Sequence, residues 1–209
     1  MRPVITMKSA MTLDGQLAAA DGTSQWITGP EALVDAHECR ASVDAVMVGA
    51  GTVRADDPQL TVRLDGFTGE QPTPIVIAGR RPLPVDAKVF RREPMILSPA
   101  PVDAPGTVIV VPDQSGGGVA LAEGMEILHG LGVRKILVEG GGGLLHSLLQ
   151  ADLIDRGIVY YGHTLAGGVG TPLFRGTWET LSHARSVEIV SVRQVGGDVR
   201  VEFELEAGS

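Results

Sequence analysis

Four short, unbroken apolar runs constrain this chain more than any other feature: Ala45-Val46-Met47-Val48, Ile75-Val76-Ile77-Ala78, Val108-Ile109-Val110-Val111 and Ile136-Leu137-Val138. Runs of this length, rich in β-branched residues and without alternation, suit strands buried on both faces, as in a parallel sheet covered by helices. Val4–Ser9 reads as a further strand. Thr28-Gly29-Pro30-Glu31 reads as a helix start, with Thr28 capping, Pro30 in the first turn and Glu31 completing a capping box. That helix is expected to run to about Ala41, a second from Val119 to Leu131, and a third from the glycines 140–143 to Leu149. Near the C-terminus Val199, Val201, Phe203 and Leu205 alternate with Arg200, Glu202, Glu204 and Glu206, a strand with one wet face. It follows Val187–Val195 across the turn Gly196-Gly197-Asp198, which predicts an antiparallel hairpin. The stretches 64–74 and 98–118 read as surface loops. The expectation is an α/β fold, with a mostly parallel central sheet and an antiparallel C-terminal hairpin, in a single domain over residues 1–209.

Composition narrows the function. Aromatics are only 4%, so the core is aliphatic. The lone cysteine, Cys39, excludes an internal disulfide and a cysteine metal cage, fits a reducing cytoplasm and reads as a small core residue. The net charge of −8 disfavours nucleic acid as a partner. Lys8 and Asp14 interrupt any apolar leader, and no run is long enough to span a membrane, so a cytoplasmic protein is expected, with no metal.

Several residues can carry chemistry. Gly49-Ala50-Gly51-Thr52 follows a buried strand and reads either as a plain tight turn or as half of a dinucleotide fingerprint, with Arg54 where the third glycine would stand. Glycines 140–143 lie between a strand and a helix and read either as backbone that approaches something closely, most simply a phosphate, or as a flexible linker. Asp56-Asp57-Pro58 offers either a helix cap or an active acid. Lys8, in a strand, is an edge residue or a positioned amine. Trp26 is a staple onto the following helix or a stacking platform. His37-Glu38 opens a zinc-protease pattern that Ala41 breaks, leaving His37 as a helix-surface or core residue.

Taken in order, these segments resemble one family. Met11-Thr12-Leu13-Asp14-Gly15, Ser24-Gln25-Trp26-Ile27-Thr28-Gly29 and His37-x-x-Arg40-Ala41 come first. The stretch 48–63, V-G-A-G-T-V-R-A-D-D-P-Q-L-T-V-R, and V-E-G-G-G-G-L at 138–144 follow. The chain is similar to the reductase domain of the riboflavin-biosynthesis deaminase/reductase, a relative of dihydrofolate reductase. The resemblance implies a dihydrofolate reductase-like three-layer fold. It implies NADPH-dependent reduction of the ribosyl group of 5-amino-6-(5-phosphoribosylamino)uracil to ribityl. It places Ser24, Arg40, Leu60, Arg63 and Glu139 at the substrate, with Arg40 and Arg63 on the phosphate and Glu139 on the sugar. Met11, Trp26, Thr52, Asp56, Gly79 and the turn Gly141, Gly142, Gly143, Leu144, Leu145, His146, Ser147 fall at cofactor positions. Lys8 and Asp56 are the candidates for polarisation or proton delivery, and Arg80-Arg81 for the 2′-phosphate of NADPH.

The chain departs from the family at Ala78-Gly79, where relatives carry Asp-Ser, and at Leu153-Ile154-Asp155-Arg156-Gly157, where they read L-V-D-E-L. A homodimer is expected, and a separate deaminase; Ser24-Gln25-Trp26 resembles the bacterial type, which acts on the deaminated uracil. Two alternatives stand beside this reading. One is a paralogous pyrimidine, pterin or folate reductase, for which Asp35 would be the acid. The other is a nucleotide-binding module without catalysis.

Overall fold

Each of the four apolar runs forms a strand, and a fifth strand between them completes an all-parallel array. The computed structural model describes residues 1–79, 81–113 and 118–206. The chain divides into two compact units, one of Met1–Val4 with His37–Gly140, the other of Ile5–Ala36 with residues from Gly141 onward.

In the first unit β3 (Ala45–Gly49), β4 (Thr73–Ile77), β5 (Met95–Ser98), β6 (Thr107–Val110) and β7 (Lys135–Val138) pair in the order β7-β3-β4-β5-β6, all parallel. Parallel strands need crossovers, and the helices α2 (Ala50–Asp56) and α3 (Leu121–Gly130) lie in two of them. The core joins Val46, Val48, Val76, Ile96 and Leu137 to Val53 of α2, Leu60 and Phe90. Each such side chain contributes about 1.5–3 kcal/mol by leaving water. Cys39 packs against this cluster as expected. The run forming β6 is not buried on both faces, because β6 is the outer strand of the array and leaves Val110 exposed. Helix α3 opens at Leu121, two residues later than expected, because Val119 bridges to Pro112.

In the second unit β1 (Val4–Met11), β8 (Arg156–Tyr161), β10 (Val187–Val195) and β11 (Asp198–Leu205) pair in the order β10-β11-β8-β1. β1 and β8 are parallel, whereas β11 runs antiparallel to both β8 and β10. β2 (Gln16–Ala18) and β9 (Thr171–Pro172) form a small separate ladder. Asp155 fixes the start of β1 by accepting from the Ile5 amide at 2.7 Å and donating its own to the Ile5 carbonyl. The helix α4 (Gly142–Gln150) buries Leu145 and Leu148.

Helix α1 (Pro30–Ala41) begins with Pro30 in its first position. Its cap position therefore belongs to Gly29 and not to Thr28: the buried Asp198 carboxylate takes the Gly29 amide at 2.7 Å and sets the start one residue later. The polar face of β11 is not wet along its whole length: the Glu204 side chain is half-exposed, but the start of the strand is buried. Arg200 is buried, its guanidinium 3.1 Å from Asp35 and 2.5 Å from Glu202. Asp35 further receives the Tyr160 hydroxyl at 2.5 Å and the Arg193 guanidinium. Desolvation pushes the Asp35 carboxyl up, but these hydrogen bonds and charges outweigh it and hold it below the ordinary carboxylate range. The apolar side chains Val187, Ile189, Val190, Val192 and Val199 stay exposed along the hairpin instead. No helix of the described residues is long and apolar enough to cross a membrane.

Candidate active site

The first unit gathers four of the expected substrate residues. His37 and Arg40 stand one turn apart on α1 and so share a face. Glu139 is the first residue past β7, at the carboxyl end of a parallel strand, where α/β folds build their sites. Its carboxylate meets the Arg40 fork at 2.6 and 2.7 Å, with both side chains only 13% exposed. The third arm of Arg40 donates to the Thr61 carbonyl at 2.9 Å. Burial pulls the guanidinium down, yet Glu139 more than offsets this and raises it. Arg40 is thus engaged with Glu139, while Arg63 is exposed and has no ion-pair partner among the described residues. Burial beside two arginines lowers His37 to about 4. It is neutral near pH 7, and its Nδ1 accepts the Arg63 amide at 3.2 Å. Leu60 is buried with a left-handed backbone.

The adjacent acids separate. Asp57, in the left-handed cap of α2, accepts the Lys88 amide at 2.7 Å and lies 3.0 Å from the Lys88 ammonium, which together hold it below its usual range. It is structural. Asp56, the last residue of α2, has no such partner among the described residues. The protein around its carboxyl desolvates it and raises it. Thr52 lies in α2 and Gly79 just past β4; Arg80 lies outside the described residues.

In the second unit Lys8 projects from β1, half-buried, its ammonium 5.5 Å from the centre of the Tyr160 ring and without a carboxylate partner among the described residues. Met11 ends the same strand, buried. Ser24 and Trp26 occupy the loop before α1. Trp26 does not staple onto the helix: it is 86% exposed, with a positive φ of 67°. The loop is pinned behind it, since Gly162 approaches so closely that a Cβ there would sit 1.8 Å from the Ile27 carbonyl.

The chain's own packing explains part of the glycine run. A Cβ on Gly142 would lie 2.7 Å from the Pro172 carbonyl and 3.0 Å from that of Leu173, so this glycine is required by the chain's own packing. Gly143 has open space around it, and no side chain caps α4. Leu145 is buried and offers a ligand only its backbone; Ser147 is exposed and donates to the Gly143 carbonyl at 3.1 Å. Leu144 is half-buried, and the His146 ring stands edge-on to Trp178. Gly142→Ala is expected to destabilise by about 1–3 kcal/mol through overpacking, while Gly143→Ala leaves thermal unfolding unchanged. Equal melting temperatures for the two variants would refute the packing argument.

The model of the RibD C-terminal domain matches residues 3–201. The chain belongs to the RibD C-terminal domain family. Riboflavin biosynthesis protein RibD of Mycobacterium tuberculosis is 36% identical over 199 residues, 94% of this chain and 53% of that protein. This chain thus spans about half the length of that bacterial relative. The 2,5-diamino-6-ribosylamino-4(3H)-pyrimidinone 5′-phosphate reductase of Methanothermobacter thermautotrophicus is 32% identical, over 99% of this chain and 100% of its own. The structure of Acinetobacter baumannii RibD superposes with a TM-score of 0.86 at 29% identity, over 98% of this chain and 58% of that one. The dihydrofolate reductase-like class read from the sequence is thereby shown. Within this RibD-family chain, Tyr160 beneath Lys8 and Gln71 beside Val62 went unnoticed in the sequence. Neither lies in a motif, and the glycine and tyrosines of β8 hide its strand character. His37 had a signal, its spacing from Arg40, but one that does not distinguish packing from support of a loop.

Proposed function

We infer that this chain is an NADPH-dependent oxidoreductase that reduces the ribosyl group of a phosphorylated ribosylaminopyrimidine, 5-amino-6-(5-phosphoribosylamino)uracil, to its ribityl form. The observation that carries this is the Arg40–Glu139 pair beside the Leu60–Arg63 segment. It presents an ionised carboxylate suited to sugar hydroxyls and, within the same unit, an exposed arginine suited to a phosphate. With the Arg40 fork on Glu139, Arg63 takes the phosphate and Arg40 orients Glu139. The family resemblance assigns Lys8 to a pyrimidine carbonyl, and Ser24 and Leu60 to further substrate contacts.

The residues present fit the cofactor. The first turn of α4 lacks a side-chain cap and Gly143 is open, which suits a pyrophosphate on Gly141–Ser147. The family resemblance assigns Met11, Trp26, Thr52, Asp56 and Gly79 to the rest of the cofactor, and Arg80, outside the described residues, to the 2′-phosphate. When bound, NADPH supplies the hydride for C1 of the opened ribosyl group. Asp56, its carboxyl raised by desolvation, passes a proton, directly or through water, to the nitrogen that stays bonded to that carbon as the hydride adds to the imine. A pterin or folate substrate loses its expected acid, because Asp35 is saturated by Tyr160, Arg193 and Arg200. The exposed apolar hairpin suits a homodimer in the cytoplasm, and deamination belongs to another catalytic unit.

The test follows NADPH absorbance with the ribosylaminouracil phosphate and, separately, with its 2,5-diaminopyrimidinone counterpart. Faster oxidation with the uracil, yielding ribityl product, is expected. Retained NADPH binding with no oxidation of either would overturn the reading.

A further inference from the structure

The segment Gln59–Arg63 belongs to no helix or strand, and side chains from elsewhere in the first unit hold its backbone almost atom by atom. Arg92, at the end of the short helix Lys88–Arg92, donates one nitrogen to the Leu60 carbonyl at 3.2 Å and the Gln59 carbonyl at 3.5 Å. Its other terminal nitrogen donates to the Pro72 carbonyl at 2.9 Å. Arg40 takes the Thr61 carbonyl. Gln71 accepts the Val62 amide at 2.7 Å and donates to the Val62 carbonyl at 3.0 Å. His37 accepts the Arg63 amide. At the centre Leu60 is left-handed at φ 54°, a conformation that a leucine keeps only when its surroundings impose it.

Arg92 is the unusual member. It is half-buried, desolvation lowers its guanidinium, and it has no carboxylate partner among the described residues. Placing a cation against three carbonyls, without a counter-ion, is a poor way to gain stability. It is a good way to fix the path of a backbone, because the planar fork sets several acceptors at once.

We propose that Arg92 is a positioning residue for substrate binding: it locks the left-handed Leu60 turn, and thereby fixes where Leu60 and the exposed Arg63 meet the phosphorylated substrate. This deepens the functional reading above and rests on its assignment of Leu60 and Arg63 to the substrate. Arg92 itself touches no reacting group, so its loss acts through misplacement of the binding residues.

The experiment compares wild type, Arg92→Lys, Arg92→Met and Arg63→Ala. Lysine keeps the charge but cannot bridge three carbonyls. Both Arg92 variants are expected to raise KM for the ribosylaminouracil phosphate about 10–100-fold, with KM for NADPH unchanged and kcat altered less than KM. Amide exchange at Val62 and Arg63 should quicken in both, and added methylguanidinium should recover part of the Arg92→Met loss. Unchanged exchange at these amides overturns the proposal whether or not substrate turns over. Quickened exchange with wild-type KM, while Arg63→Ala raises KM, also overturns it and leaves the functional reading standing. A wild-type protein inactive on the substrate fails that reading instead, and the substrate role of Arg92 with it.

Discussion

Replacing Arg40 with methionine should lower the melting temperature by about 10 °C and take turnover below about one-hundredth of wild type. The reason is what remains. Glu139 keeps its buried position beyond β7 but loses the fork that meets it at 2.6 and 2.7 Å. Breaking one partner out of a buried ion pair costs about 3–5 kcal/mol, because the other charge is left unneutralised. The Thr61 carbonyl loses its donor as well. Arg40→Lys keeps the charge but not the two parallel hydrogen bonds, so it should recover stability only in part. Arg40→Met combined with Glu139→Leu removes both charges and should regain most of the melting temperature without regaining activity. That separation marks the pair as functional. Calorimetry and turnover on the four proteins decide it; an Arg40→Met variant as stable as wild type would show that the pair is not buried as described.

β3, β4 and β7 were legible because burial on two faces is written directly as apolar runs, and β6 carries such a run although it is an outer strand. β5 escaped because Met95-Ile96-Leu97-Ser98 is short and carries one β-branched residue. The wet face of β11 was misread for a different reason. Alternation reports polarity, not burial, and Arg200 is buried only because Asp35 and Tyr160 come to meet it from distant parts of the chain. The site followed the same division. The family resemblance singled out Arg40, Glu139, Lys8 and Asp56. It could not show that Arg40 and Glu139, 99 positions apart, pair with each other. Nor could it split Asp56 from Asp57, since the split depends on Lys88, thirty-one positions beyond Asp57. The glycine run looked like one feature and is two, with Gly142 serving the fold and Gly143 open.

Asp56→Asn should cut kcat about 10²–10⁴-fold, the range for losing a positioned acid or base, without making the protein less stable at neutral pH. The second half follows from the direction of the shift. The Asp56 carboxyl is raised above its ordinary value of 3.8 by desolvation. The folded chain therefore binds that proton more tightly than the unfolded chain does. Stability from this group is fully present below 3.8 and is lost as pH rises through the folded value. At neutral pH the ionised carboxylate of this exposed residue costs the fold only a little, and asparagine removes that small cost. The melting temperature of Asp56→Asn should equal or exceed that of wild type at pH 7, and the difference should shrink as pH falls toward 4. Asp57→Asn should behave in the opposite sense, because Lys88 holds that carboxylate ionised: it loses melting temperature at pH 7 and keeps its turnover. Thermal unfolding across pH, paired with turnover, separates the two acids. Full activity in Asp56→Asn would remove Asp56 from the proton path and leave Lys8 as the remaining candidate.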